Sequence, residues 1–192
     1  LIEVTTFRSD NLDDQEVDEH GRVLRDNVYG SIESDASRRD MTINALYYDV
    51  KRQVVLDYHG GVSDLNDQVL RIIGDPTTRF REDPVRMLRV LRFMAKFGFD
   101  VEAHTLEAMQ DSRDLLDNIP SARLFDETLK FFSTGHALRS FEVLQQQGFT
   151  EYLMPVLHEV VQTEQGVDWV RAVLAQTDER VHEDKSISPG FL

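Results

Sequence analysis

Leu46-Tyr47-Tyr48-Asp49-Val50-Lys51-Arg52-Gln53-Val54-Val55-Leu56-Asp57, followed closely by Gly60-Gly61, is the stretch on which the fold turns. Aromatic and β-branched residues fill both halves, and the polar Lys51-Arg52-Gln53 between them suits a tight loop, so the segment predicts a β-hairpin. Gly60-Gly61 interrupts that pattern. Beyond it the sequence turns helical: Pro76 and Pro84 stand at first-turn positions, Asn118-Ile119-Pro120 breaks one helix from the next, and Gly98, Gly135 and Gly148 mark helix ends. No internal repeat or low-complexity segment interrupts the array. The expected fold class is therefore α+β, a β-containing end followed by an all-helical remainder.

Working upstream, Ile2, Val4 and Thr6 alternate with Glu3 and Thr5, which predicts an opening strand. A lone half-buried strand needs a partner, so the sheet is expected to be completed by residues upstream of Leu1. The segment from Asp10 to His20 reads as an acidic loop ending at Gly21. Ser34-Asp35 can start a short helix that runs through Arg38-Arg39-Asp40 towards Ala45.

Composition sets the bounds. The 192 residues are 41% apolar and 29% charged, enough to bury a core in one or two soluble units. No run of about eighteen apolar residues is present, and Leu1-Ile2-Glu3-Val4 lacks the pattern of a signal peptide, so no membrane association and a cytoplasmic location are expected. The absence of cysteine excludes disulfides and thiolate metal sites, and the six histidines are scattered, so any metal would be held by oxygen ligands. A formal charge of -14 argues against a chain that grips nucleic acid over its whole surface. Between Arg38 and Lys96, however, eleven Lys and Arg face eight Asp and Glu, so positive charge is concentrated centrally.

In the helix expected over 84–97, Arg89, Arg92 and Lys96 share one stripe at about 100° per residue. Arg86 falls elsewhere, between the directions of Phe93 and Phe97, in an otherwise apolar sector. A cation there needs a partner, and Asp83 is the nearest candidate. The plain structural reading is that Asp83 caps the helix and closes an ordinary salt bridge with Arg86. The functional reading is that this guanidinium and carboxylate, fixed on one turn, match the edge of a base and select a nucleotide. Asp40, directly after two arginines, divides in the same way: a surface ion pair, or a carboxylate holding a divalent metal beside phosphates that the arginines stabilise.

Three strings carry a family resemblance: Arg38-Arg39-Asp40-Met41-Thr42-Ile43-Asn44-Ala45-Leu46, Asp57-Tyr58-His59-Gly60-Gly61-Val62-Ser63-Asp64-Leu65 and Glu82-Asp83-Pro84-Val85-Arg86-Met87-Leu88-Arg89. In this order and at about this spacing they resemble successive motifs of the bacterial poly(A) polymerase and CCA-adding enzyme superfamily. Ile2-Glu3-Val4-Thr5-Thr6-Phe7-Arg8 also resembles the last part of the nucleotidyltransferase head, and looser resemblance continues through Ile119-Pro120-Ser121-Ala122-Arg123-Leu124 and the helices beyond. The long acidic insertion from Ser9 to Ser34, with its Leu24-Arg25-Asp26-Asn27-Val28-Tyr29-Gly30-Ser31-Ile32-Glu33 stretch, is similar to the poly(A) polymerase branch, as is Leu46-Tyr47-Tyr48.

The resemblance implies a nucleotidyltransferase head over 1–60, a helical neck over 61–118 and an RNA-binding helical body over 119–192. It implies addition of AMP from ATP to the 3' end of RNA. Asp40 is similar to a catalytic, metal-binding carboxylate, Arg39 and Asn44 to residues contacting the nucleotide's sugar and phosphates, Asp83 and Arg86 to the base-reading pair, and Arg89 to a residue facing phosphates. Glu3 is weighed as an aid to the metal site and read as a surface acid. The middle motif reads as structural, its Gly60-Gly61 turn and Asp64 joining head to neck and orienting the other two, with a helix cap the alternative for Asp64. A two-magnesium site is implied, completed by a phosphate loop and a D-x-D pair that belong upstream of Leu1, so this stretch by itself is expected to be inactive. RNA, ATP and RNA-processing proteins are the implied partners. CCA addition to tRNA is the alternative activity, and a noncatalytic RNA-binding module the alternative from another class.

Overall fold

The computed structural model describes residues 4–8, 16–17, 23–25 and 29–187. Contacts divide the chain into a first unit, residues 1–67 with 71–74, and a second, residues 68–70 with 75–192.

In the first unit, β1 (Glu16–Val17) pairs antiparallel with β2 (Val23–Arg25), within and just beyond the expected acidic loop. The rest of that loop, and Ile2 and Glu3 of the expected opening strand, lie outside the described residues. Val4, Thr5, Thr6 and Phe7 form no strand, which corrects that expectation. The segment is held instead by a single antiparallel bridge between Arg8 and Tyr29 and by the Gly30 amide donating to the Phe7 carbonyl at 3.0 Å.

Helix α1 (Ile32–Ser37) starts at Ser31, whose hydroxyl accepts from the Ser34 amide at 3.1 Å, and it stops before Arg38. The expected helix towards Ala45 is thus split. Met41 leaves the helical path to bridge Ile72, the Ile73 amide donates to the Asp40 carbonyl at 2.9 Å, and the Thr42 amide donates to the Arg71 carbonyl at 3.0 Å. This short ladder buries Met41 completely and outcompetes helix continuation. One 3₁₀ turn, Thr42–Asn44, follows.

The hairpin forms as the sequence predicts. β3 (Leu46–Asp49) pairs with β4 (Val54–Asp57), Leu46 opposite Asp57 and Asp49 opposite Val54. Asp49 closes the loop by accepting from the Lys51 and Arg52 amides at 2.9 and 3.1 Å. The chain then enters α2 (Gly61–Asn66) through Gly60 at φ 78. Asp57 accepts from the amides of His59, Gly61 and Val62 at 3.2, 2.9 and 2.9 Å, so the strand end caps the helix that follows. The core of this unit is Ala36, Ala45 and Ile73 with Tyr47 packed against it.

The second unit is helical, with β5 (Val69–Leu70) parallel to β6 (Asp100–Val101). Between them run α3 (Pro76–Glu82), with Asp75 capping and Pro76 in the first turn, and α4 (Val85–Phe97), ended by left-handed Gly98. There follow α5 (Ala103–Asp111), a 3₁₀ stretch (Arg113–Asn118), α6 (Ser121–Phe132), α7 (Ala137–Gln147), α8 (Thr150–Leu153), α9 (Pro155–Val160) and α10 (Glu164–His182). The breaks fall at Ile119-Pro120, Gly135 and Gly148, as the sequence predicts.

Helix α4 packs against α3, α6, α7 and both short strands, with Val85, Met87, Leu88, Val90 and Leu91 excluded from solvent. Apolar contact on several sides fixes its position and presents its remaining side chains in a set order. A long-range cap adds to this: Asp178 of α10 accepts from the Ala137 and Leu138 amides at 2.5 and 3.0 Å, satisfying the start of α7.

Candidate functional site

In the first unit the residues expected to act lie where α1 gives way to the Met41 ladder. Asp40 is buried, and its Oδ1 accepts from the Met41 amide at 2.9 Å and the Asn44 side-chain amide at 3.0 Å. Asn44 is therefore an orienter of Asp40 as well as a candidate nucleotide contact. Thr42 of the same turn donates to Asp64 at 2.7 Å, and Asp64 also accepts from Arg71 Nε at 3.1 Å. The buried Asp64 thus fixes the first motif from the second, the structural part expected of it.

Arg39 is held by a residue that sequence reasoning treated only as a helix start. Asp35 Oδ2 accepts from Arg39 Nε and Nη2 at 3.2 and 2.9 Å and from the Tyr47 hydroxyl at 2.6 Å, while Oδ1 accepts from the Arg8 amide at 3.2 Å. Burial disfavours the charged form of Asp35, but the hydrogen bonds from Tyr47, Arg39 and Arg8 outweigh it, and the carboxyl lies below the usual aspartate range. Burial likewise tends to discharge Arg39, and its bonds to Asp35 and Tyr47 hold its value above the ordinary one. The four-residue spacing of Asp35 and Arg39 was the available signal for the pair. Tyr47, read as a strand aromatic, carried none. Thr5, Arg8, Asp35, Arg38 and Arg39 line an open cleft of about 380 Å³, a lining of three arginines and one acid that suits an anion.

In the second unit Asp83, Arg86 and Arg89 occupy the α3–α4 junction and the first turns of α4. Asp83 Oδ1 caps the helix by accepting from the Val85 amide at 3.2 Å, and Oδ2 accepts from Arg123 Nη2 at 2.8 Å. The expected side-chain pair of Asp83 and Arg86 is corrected: the Asp83 carboxylate pairs with Arg123, the acid nearest the Arg86 guanidinium is Glu82, and Asp83 and Arg86 meet through the main chain, the Arg86 amide donating to the Asp83 carbonyl at 3.1 Å. The guanidinium of Arg86, 16% exposed, approaches Glu82 at 3.9 Å, and Arg79 contacts the same carboxylate at 3.0 Å. Glu82 and Arg123 are thus additional members of this cluster. Farther along, Arg92 lies over Phe93 and Lys96 over Phe97, at 5.6 and 5.3 Å, so two of the three stripe cations cover aromatic faces.

Among the described residues no group of three His, Asp or Glu side chains gathers as a metal site. Asp40, a buried carboxylate on an ordered turn, fits a divalent cation as one oxygen ligand of a larger set. Among the described residues no helix is long and apolar enough to cross a membrane.

Residues 1–71 match the family described as poly A polymerase head domain, and residues 98–160 the family described as probable RNA and SrmB-binding site of polymerase A. The chain is 44% identical over its whole length to poly(A) polymerase I of Haemophilus influenzae, covering 44% of that protein. It is 40% identical to the CCA-adding enzyme of Streptococcus gordonii over 79% of this chain and 37% of that protein. Among solved structures, the Bacillus stearothermophilus CCA-adding enzyme in complex with CTP superposes with a TM-score of 0.61 at 31% identity, covering 78% of this chain and 34% of that one. The chain spans less than half the length of these relatives. With matches to both family models in this order, and with both branches of relatives aligned over most or all of it, the chain belongs to the poly(A) polymerase and CCA-adding nucleotidyltransferase superfamily.

Proposed function

We propose that the full-length protein adds AMP from ATP to RNA 3' ends without a template. The observation that carries this reading is the 44% identity to poly(A) polymerase I across all of the chain, whereas the sequence similarity to the CCA-adding enzyme of Streptococcus gordonii is 40% over 79% of it. The 3'-hydroxyl of the RNA attacks the α-phosphate of ATP, and pyrophosphate leaves. Magnesium, when bound, supplies the charge that activates the hydroxyl and stabilises the leaving oxygen, and Asp40 would be one of its ligands.

The chain's own residues divide the remaining work. Arg39, beside Arg8 and Arg38 in the cleft, binds phosphate or sugar oxygens through planar donors. Asn44 orients Asp40 and shares in holding the nucleotide. Asp83 and Arg86 read the adenine edge by donors and acceptors fixed on one turn, and Arg89 faces the phosphates. Residues 98–160 contact the RNA, the protein works in the cytoplasm, and RNA-processing proteins are its partners.

A second reading, CCA addition, is favoured by the similarity to a CCA-adding enzyme solved with CTP. Extension of an unstructured RNA by the full-length protein, with ATP and CTP offered separately, decides between them. A long A tail supports polyadenylation. Addition confined to C, C and A on tRNA overturns it, and RNA binding without extension reduces the protein to a binding module.

A further inference from the structure

We propose that Asp35 and Tyr47 are positioning residues that fix the Arg39 guanidinium for the nucleotide, an inference resting on the assignment of Arg39 to nucleotide binding. Three donors converge on Asp35 Oδ2, two from Arg39 at 3.2 and 2.9 Å and one from the Tyr47 hydroxyl at 2.6 Å. The opening segment contributes a fourth donor, the Arg8 amide, to Oδ1 at 3.2 Å. Asp35 is 6% exposed, whereas the Arg39 side chain is 46% exposed and lines the cleft. The acid is thus the buried anchor and the arginine the group that meets solvent and ligand.

The anchor is itself rigid. Tyr47 packs against the Ala36, Ala45 and Ile73 core, its ring lies under the Arg39 guanidinium at 6.0 Å, and Phe7 meets it edge-on at 5.9 Å. Asp35 grips the Nε–Nη2 edge of the guanidinium, which defines the plane of the whole group. An arginine alone would sample many rotamers and bind phosphate or ribose oxygens at a cost in order; one clamped by a carboxylate and a ring is arranged before the ligand arrives. Asp35 and Tyr47 act through Arg39.

The test is a double-mutant cycle on ATP affinity, measured by calorimetry on the full-length protein, with Asp35→Asn, Arg39→Ala, the double variant and Tyr47→Phe. Asp35→Asn is expected to weaken ATP binding about tenfold and Tyr47→Phe about threefold, the range found for coupled neighbours. In the Arg39→Ala background, Asp35→Asn should cause no further loss. Losses that multiply in the double variant, or an unchanged ATP affinity with a lowered Tm, overturn the proposal. If Asp35→Asn fails to fold, Tyr47→Phe carries the test, since it deletes one hydroxyl and keeps the ring; unaltered affinity then sinks the idea. Wild-type protein that binds ATP but does not extend RNA would refute the proposed reaction while the cycle still decides this inference. Wild-type protein that binds no nucleotide refutes the inference itself.

Discussion

Arg123 at the start of α6 donates to Asp83 at the start of α4 across 2.8 Å, although forty positions separate them in the sequence. The contact places a cation on the carboxylate proposed to read the base and sets its orientation. The pair is partly exposed, 49% and 29%, so Arg123→Ala should change stability by less than about 1 kcal/mol. In the full-length protein it should lower the preference for ATP over CTP several-fold. A large fall in Tm with selectivity intact would mark the pair as a structural tie.

Arg86→Ala is expected to relax ATP preference more than it destabilises the fold. A bidentate base contact discriminates by about 1–3 kcal/mol, roughly tenfold to a hundredfold in relative kcat/KM for ATP and CTP. The fold cost is limited because Glu82, the acid near Arg86, keeps Arg79 at 3.0 Å. A variant that remains ATP-selective, or melts before nucleotide binds, supports an ordinary ion pair.

Asp40→Asn should abolish transfer while leaving RNA affinity and Tm close to wild type. The asparagine carbonyl can still accept from the Met41 amide and the Asn44 side chain, as Oδ1 does. What it loses is the negative charge that a divalent cation requires. Unchanged turnover would remove Asp40 from the reaction.

Gly61 is a sharper test of the middle motif. A Cβ at this position would collide with the Thr42 carbonyl, which belongs to the turn carrying Asn44. Backbone cannot yield as a flexible side chain can, so Gly61→Ala should destabilise the first unit by about 1–3 kcal/mol. A Tm equal to wild type would show that α2 can move away from that turn.

Much of this arrangement is legible in the residues because it is local. The Leu46 to Asp57 hairpin, the Pro76 and Pro84 helix starts and the Gly98 and Gly148 ends follow from backbone preferences that act within a few positions. The split after Ser37 is not legible, because it depends on Met41 pairing with Ile72, a partner thirty-one positions away that no helical propensity reveals. The site divides along the same line. Asp40, Asp83 and Arg86 are singled out as candidates by the three strings that resemble the family's motifs, spacing alone leaving them ordinary ion pairs, whereas Arg123 reaches Asp83, and Tyr47 reaches Asp35, only once the chain has folded. A side chain chosen by a distant partner leaves no periodic trace.

Acid should weaken the first unit through two carboxylates. Burial raises the value expected of Asp35, and the Tyr47, Arg39 and Arg8 donors more than reverse this. At Asp57 a smaller burial effect is overcome by the amides of Val62, Gly61, His59 and Gly60. Both groups lie below their ordinary values in the folded state, so the fold favours the charged forms. Their contribution is complete above the unfolded value near about 3.9 and is lost as pH falls through the lower folded values. Stability should therefore hold from neutrality down to about pH 5 on account of these groups and decline below about pH 4. Asp35→Asn removes one titrating group, so the stability difference between wild type and this variant, followed by thermal unfolding across pH, should narrow as the solution is acidified. A difference that stays constant from pH 7 to pH 3 would show that the Asp35 charge contributes nothing to folding. Tyr47 lies on the opposite side: burial and its bond to Asp35 raise its value, so its contribution persists below about pH 10 and is lost only as pH rises beyond that. Within the cluster that holds Arg39, Asp35 thus contributes on the acid side and Tyr47 on the alkaline side.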